Sequence, residues 1–136
     1  MVLNRRARRG SNLIEFALIL PVFVALFTGI LEFSWVFFLH AAVVNAVRDG
    51  CRAGAVTPQT DSPDAAAIDH MTYLMSAWSP CGTDTSLCSF TATSQGSSPE
   101  ESLVCTIDFT YEPLVGMVPA PNSMSASATV LFELQD

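Results

Sequence analysis

Lysine is absent from this sequence, and no arginine follows Arg52. The segment after Arg52 is acidic, which argues against nucleic acid or anionic lipid as its partner, because both attract basic surfaces. Charge is also sparse near the N-terminus, where Glu15 and Glu32 are the only charged residues from Leu13 to Leu39. The 136 residues therefore divide into an apolar region and one small domain of ordinary soluble composition.

The residue patterns of an active site are lacking as well. His40 and His70 are the only histidines, and neither has further ligands at the spacing of a metal site. There is no nucleophile motif and no glycine-rich phosphate loop. The sequence therefore predicts a protein that is not an enzyme and that binds neither a metal nor another cofactor.

A long apolar run follows a basic N-terminal stretch. As a helix at about 1.5 Å per residue, Leu13 to Leu31 would span roughly 28 Å, which is close to the hydrocarbon thickness of a bilayer. Arginines at one end of a spanning helix hold that end in the cytoplasm, so we expect the C-terminal part to lie in the periplasm or beyond. The four that set this orientation are Arg5, Arg6, Arg8 and Arg9.

A cleavable secretory signal is the first alternative for this run. Its apolar region usually spans about 7 to 15 residues and ends at a small-residue cleavage site. Here the run is longer, it contains Glu15, and its small residues lie in sequence that still predicts helix. We therefore favour a membrane helix that continues into the outer domain, with a kink or looser turn at Pro21.

The outer region, residues 56–136, is predicted to be a small α+β domain. Apolar residues recur at helical spacing from Val36 to Cys51, which predicts one apolar stripe on a long helix that ends near Gly54. A shorter helix is predicted to begin at Ser62 as N-cap and Pro63 as first helical residue. We expect it to run to about Trp78, with its inward residues at Ile68, Met71, Leu74, Met75 and Trp78.

Three strands are predicted after the second helix, at residues 87–93, 103–112 and 125–134. The second is the clearest, because apolar residues alternate from Leu103 to Tyr111. The third alternates in the same way from Ala126 to Leu134. The strands are expected to form an antiparallel sheet that packs on a helix.

All four cysteines lie on the predicted outer side, where an oxidising compartment favours disulfides over buried free thiols. Four cysteines allow three pairings. Cys105 is expected to point into the same core as Cys51, and Cys81 and Cys88 bracket a short loop. We therefore prefer Cys51–Cys105 together with Cys81–Cys88.

The junction before the apolar run has a pattern that an ordinary anchor does not need. The basic stretch ends at Gly10, Ser11 follows, and Glu15 is a lone carboxylate beside Phe16. An acid at the centre of a membrane helix costs about 2.5–3.5 kcal/mol on insertion scales, and less near the interface. The energetic cost alone would therefore permit Glu15 near the interface. It does not account for Gly10, Glu15 and Phe16 occurring together behind a basic stretch.

This set resembles the cleavage site of type IV pilin-like precursors, and in particular the TadE-like minor pilins, or pseudopilins, of tight-adherence (Flp-type) pilus systems. In that family a prepilin peptidase cuts after the glycine and leaves a glutamate at the fifth mature position, with an aromatic residue next to it. Gly10, Glu15 and Phe16 match that pattern. Further matches within residues 5 to 56 are Leu20-Pro21, Glu32-Phe33 and the helix-end segment 45–53.

The resemblance implies an inner-membrane precursor whose leader, residues 1–10, is removed and whose long helix occupies residues 11–55. Glu15 would pair with the new amine of Ser11, in its own chain or a neighbour's, and would set the axial position of the subunit. The implied partners are the prepilin peptidase, other pilin and pseudopilin subunits, and the Tad inner-membrane platform. Ser11 stands where many type IV pilins have phenylalanine, so methylation of the new N-terminus is not inferred.

Two other classes of function stay open. One is an uncleaved, single-pass periplasmic binding or complex-assembly module. The other is a small membrane-complex subunit that uses Glu32 to pair with partner helices. Arg48 and Arg52 have two interpretations, because cations near a helix end suit its dipole and an exposed pair also suits a partner subunit.

Overall fold

The computed structural model describes residues 5–77, 81, 85–96, 101–116, 119 and 121–132, and gives only the backbone for residues 5–11 and 85. Two helices precede three strands, so the predicted α+β class is confirmed. In chain order the elements are helix α1 (Arg5–Val56), helix α2 (Pro63–Ser76), and strands β1 (Cys88–Gln95), β2 (Ser102–Thr110) and β3 (Ser123–Leu131), with short 3-10 turns at Gln59–Asp61 and Thr85–Leu87.

Helix α1 is continuous over 52 residues and passes through Pro21 without interruption. It begins at Arg5, within the segment 1–10 that the resemblance assigns to the leader, because arginine and alanine are good helix formers and no strong helix breaker separates them from the apolar run. It ends at Val56, two residues beyond the predicted end at Gly54. From Asn12 onward it is long and apolar enough to cross a membrane.

The surface of α1 changes character at Glu32. Every side chain from residue 12 to residue 27 is exposed, and so are Ile30 and Leu31. The hydroxyl groups of Thr28 and Ser34 donate to the carbonyls of Val24 (2.9 Å) and Ile30 (2.7 Å), so this apolar helix satisfies its own polar side chains. From Glu32 onward one face is buried, at Glu32, Leu39, Val43, Ala46, Val47 and Cys51.

The sheet is antiparallel with the strand order β1-β2-β3, so β2 is central. Cys105 in β2 lies opposite Ala92 in β1 and Ala128 in β3. The predicted alternation of β2 is confirmed, since its buried residues are Leu103, Cys105, Ile107 and Phe109. Helix α1 contacts β2 and β3, and α2 contacts α1 and β1, so the core lies between the sheet and both helices. Leu134 of the predicted third strand lies outside the described residues.

Two disulfides are present, and they have the preferred pairing. Cys51 bonds to Cys105 with their Cα atoms 5.7 Å apart, which joins α1 to the central strand. Cys81 bonds to Cys88 with their Cα atoms 5.5 Å apart, which closes the short loop before β1. The first disulfide therefore links the helical layer to the sheet, and the second links the loop after the helices to the sheet.

Helix α2 begins at Pro63, as predicted, but Ser62 does not cap it with its side chain. Ser62 has a left-handed backbone (φ 58°) and no side-chain capping bond, whereas capping needs extended backbone. Its carbonyl instead accepts a hydrogen bond from the amide of Ala66 (3.1 Å). Met71 and Met75 are buried as predicted, Ile68 and Leu74 pack against the core, and Trp78 lies outside the described residues.

Two glycines let α2 approach α1 closely. A Cβ atom built on Gly50 would overlap the side chain of Met71. A Cβ atom on Gly54 would lie 2.7 Å from the Pro63 carbonyl oxygen and equally close to side chains of Ala67 and Leu103. Gly54 therefore allows the two helices to pack closely. The prediction that it ends the helix is wrong, because α1 continues to Val56.

We predict that Gly54→Ala destabilises the outer domain by about 1–3 kcal/mol, because overpacking against a backbone carbonyl outweighs the better helix propensity of alanine. The measurement is the thermal unfolding of the detergent-solubilised protein. Gly29→Ala is the matched control, since it makes the same change in the same helix where a Cβ meets nothing within 4 Å. Equal stability of the two variants would contradict the prediction.

Candidate functional site

Glu32 is the buried charged side chain among the residues that the structure describes, with only 1% of its surface exposed. It is the first residue of the buried stripe of α1, four residues before Val36 at helical spacing. It also follows directly after Leu31, the last residue of the predicted membrane span. The carboxylate therefore lies where the exposed, apolar part of the helix meets the outer domain.

Three donors from the loop after β2 bind this carboxylate. The hydroxyl of Tyr111 donates to Oε1 at 2.7 Å, and the amide of Leu114 donates to the same oxygen at 2.9 Å. The amide of Val115 donates to Oε2 at 2.8 Å. Hydrogen bonds to an ionised group are stronger than neutral ones, and these three replace the water that burial removes.

Local backbone geometry brings the three donors together. We call residues 111–122 the β2–β3 loop. Tyr111 continues the inward alternation of β2, and its amide donates to the carbonyl of Asn122 (3.0 Å), which holds the two ends of the loop together. Gly116 has a left-handed backbone (φ 70°) that a glycine adopts without strain, and it follows the two donating amides. The loop can therefore turn back immediately after Val115.

Burial and the Glu32 carboxylate change the acidity of Tyr111. Desolvation is the larger cause and the hydrogen bond to Glu32 is the next, and together they raise the pKa of Tyr111 to about 12. Both disfavour a phenolate in this position, since it would be buried beside a second negative charge. The hydroxyl therefore remains a donor to Glu32 throughout the physiological pH range.

We predict that Glu32→Gln destabilises the domain by about 1.5–3 kcal/mol, because hydrogen bonds to a charged acceptor are lost and an amide group replaces one acceptor oxygen. Thermal unfolding and amide hydrogen exchange at Leu114 and Val115 measure the effect. Glu112→Gln is the matched control, because it removes the same charge from an exposed residue next to Tyr111. Faster exchange in both variants, or in neither, would contradict the assignment.

The same variants have a pH signature in a Tyr73→Phe background, where Tyr111 is the only tyrosine. Since the folded pKa is raised above the unfolded value of about 10, Tyr111 contributes stability below pH 10 that is lost between about pH 10 and 12. Tyrosinate absorbance follows the titration. Its midpoint should fall in Glu32→Gln and stay in place in Glu112→Gln.

The other predicted site residues lie away from Glu32. Gly10 and Ser11 are in the helical backbone of α1, and Glu15 and Phe16 are exposed on its free half. Glu15 has no hydrogen bond or ion pair with any described side chain from residue 12 onward. At about 1.5 Å per residue it is roughly 25 Å from Glu32 along the helix, so the junction and the buried carboxylate form two separate sites.

Arg48 and Arg52 are exposed and one helical turn apart on α1. The last turn of α1 contains no basic residue, because the helix continues to Val56. The proposed interaction with the helix dipole is therefore not supported, since that effect is confined to the final turn. Their exposure keeps both guanidinium groups accessible to a partner.

Sequence reasoning identified Glu32 but missed its partners. One alternative assigned Glu32 to partner helices, whereas the structure pairs both carboxylate oxygens with donors of the same chain. The available signal was the position of Glu32, four residues before Val36 and in line with the apolar stripe. That position indicated that Glu32 faces the domain. Nothing local indicated that Tyr111, Leu114 and Val115 would meet it.

Residues 10–52 match the family model described as TadE-like protein. The match covers less than half of the 136 residues and lies entirely within α1. It confirms, over that segment, the resemblance predicted from the junction, the Glu32-Phe33 pair and the helix-end pattern. Searches of curated proteins and of solved structures found no significant match.

Proposed function

We propose that this chain is a minor pilin, or pseudopilin, required for the assembly of a Tad (Flp-type) pilus, and that a prepilin peptidase processes it after Gly10. The observation that carries the proposal is the TadE-like match, which begins at Gly10 and ends at Arg52. It includes the junction, the free half of α1, Glu32 and Gly50, which is one of the two glycines that pack against α2.

The division of α1 into two halves supports this function. Large apolar side chains are exposed from Leu13 to Leu31, and the buried face of α1 begins at Glu32. A free apolar helix suits both uses that a pilin subunit has for it. It first lies in the inner membrane, and it then packs laterally against the helices of neighbouring subunits.

Glu15 has a role in that second use. Cleavage after Gly10 creates a positive amine on Ser11, one helical turn before Glu15. A carboxylate in an apolar environment is costly unless it is paired, and no described side chain from residue 12 onward pairs with Glu15. We infer that the amine of its own or a neighbouring Ser11 neutralises Glu15 and so sets the axial register of the subunit.

The backbone at Gly10 is helical, whereas a protease needs an extended backbone at the bond it cuts. Cleavage therefore requires the first turns of α1 to open. Glycine lowers helix stability by about 1 kcal/mol relative to alanine, and residues near a helix end open most easily. Gly10 is thus well placed for local unwinding by the peptidase.

The proposed topology places the N-terminus in the cytoplasm and the domain in the periplasm or outside the cell. The two disulfides suit an oxidising compartment. Pilin and pseudopilin subunits and the Tad inner-membrane platform are the proposed partners. The exposed Arg48 and Arg52 are the side chains of the TadE-like segment that we assign to contact another subunit.

We predict that membrane-extracted protein from cells with the peptidase lacks residues 1–10 in its intact mass. Gly10→Val should leave the full-length chain, because a branched side chain blocks close approach of the protease to the backbone. Gly29→Ala, which changes a glycine elsewhere in α1, should be cut normally. Finding only the full-length chain in piliated cells would favour the uncleaved anchor instead.

We also predict that Glu15→Gln leaves membrane insertion and processing intact but abolishes most pilus assembly, because the neutral amide cannot form the ion pair with Ser11. Surface pili are counted by electron microscopy, and insertion is checked by extraction with alkali. Glu112→Gln is the control for loss of one negative charge. A normal number of surface pili in the Glu15→Gln variant would contradict the assembly role of this carboxylate.

A further inference from the structure

Leu114 and Val115 form an apolar tip of the β2–β3 loop that the domain leaves exposed. From Pro113 to Pro121 the sequence contains no polar side chain. Within this stretch Leu114 is 61% exposed and Val115 is 41% exposed. Two adjacent large apolar side chains at an exposed turn, in a segment without charge, indicate a contact with an apolar phase outside the domain.

The hydrogen bonds to Glu32 fix the height of this tip along α1. The two amides that bind the carboxylate, at 2.9 and 2.8 Å, belong to the same residues whose side chains are exposed. Glu32 directly follows Leu31, the last residue of the proposed membrane span. The backbone of the tip therefore lies at the level of the outer end of the proposed membrane span.

We propose that the β2–β3 loop inserts Leu114 and Val115 into the outer interface of the lipid bilayer and that Glu32 sets the depth of insertion. The inference rests on the membrane span of the proposed function, and it is independent of processing and of pilus assembly. The single chain thus contacts the membrane at two places, through α1 and through this loop.

Lipid is the occupant that the surroundings of the loop favour. At the same height α1 exposes Leu31 and Phe33, which are apolar and are not covered by the domain. The loop tip therefore lies at the same height as an exposed apolar surface of α1, and that surface also suits contact with lipid. No arginine or lysine follows Arg52, so the contact depends on apolar burial and not on attraction to anionic headgroups.

The arrangement also explains why an acid is tolerated at this boundary. A carboxylate near the edge of the hydrocarbon region needs hydrogen-bond donors that water no longer supplies in full. The loop brings Tyr111 and two backbone amides to Glu32, and this same approach places Leu114 and Val115 at the bilayer surface. Hydrogen bonding of the Glu32 carboxylate and insertion of the loop tip are thus coupled.

The test is photo-crosslinking of the purified full-length chain in phosphatidylcholine vesicles. A benzophenone amino acid replaces Leu114 in one variant and Tyr73 in the other, since both residues are large and exposed but Tyr73 (74% exposed) lies on α2. Mass spectrometry counts lipid adducts. We expect on the order of tenfold more lipid adduct at position 114, which corresponds to about 1.4 kcal/mol of preference for lipid.

Each outcome decides the proposal. Equal lipid yields at the two positions would overturn it. A crosslinked dimer at position 114 would also overturn it, because a second copy of the chain, and not lipid, would then contact the loop tip. Glu32→Gln combined with the probe at position 114 should lower the lipid yield severalfold, while an unchanged yield would remove the role of Glu32. No peptidase or other pilus protein is present, so failure here leaves the proposed processing unaffected.

Discussion

The carboxylate of Glu32 joins the apolar half of α1 to the outer domain. Glu32 begins the buried stripe of the helix, and the loop between β2 and β3 donates to it through the hydroxyl of Tyr111 and the amides of Leu114 and Val115. Its burial is stable only because those donors are present, and Tyr111 is in place only because it continues the alternation of β2. The position of the loop, the end of the free helix and the orientation of the central strand therefore depend on one interaction.

Close packing farther along α1 completes the attachment of the domain. Gly50 and Gly54 remove the side chains that would hold α2 away, and the bond between Cys51 and Cys105 joins the same turn of helix to the sheet. Gly50 and Cys51 lie within the TadE-like segment, and Gly54 lies just beyond it. Gly50 and Cys51 of the helix-end pattern thus have a packing role in this fold.

Periodicity in the sequence predicted the elements and their inward faces. The helical spacing from Val36 to Cys51 and the alternation of β2 both identified core residues correctly, and the pairing of cysteines followed from those faces. Periodicity reports which face a residue occupies, but not which distant residue it meets. The bond between Tyr111 and Glu32 spans 79 positions, and for that reason no local pattern predicted it. The role of Gly54 was missed similarly, since its contacts come from α2 and β2.

The bond between Cys51 and Cys105 also determines how the protein bears mechanical load. A force that pulls α1 along its axis passes through the two sulfur atoms directly into β2. Because β2 is the central strand, hydrogen-bonded neighbours on both sides share that load. The domain therefore travels with its helix under tension, and it cannot peel away by the loss of non-covalent contacts alone.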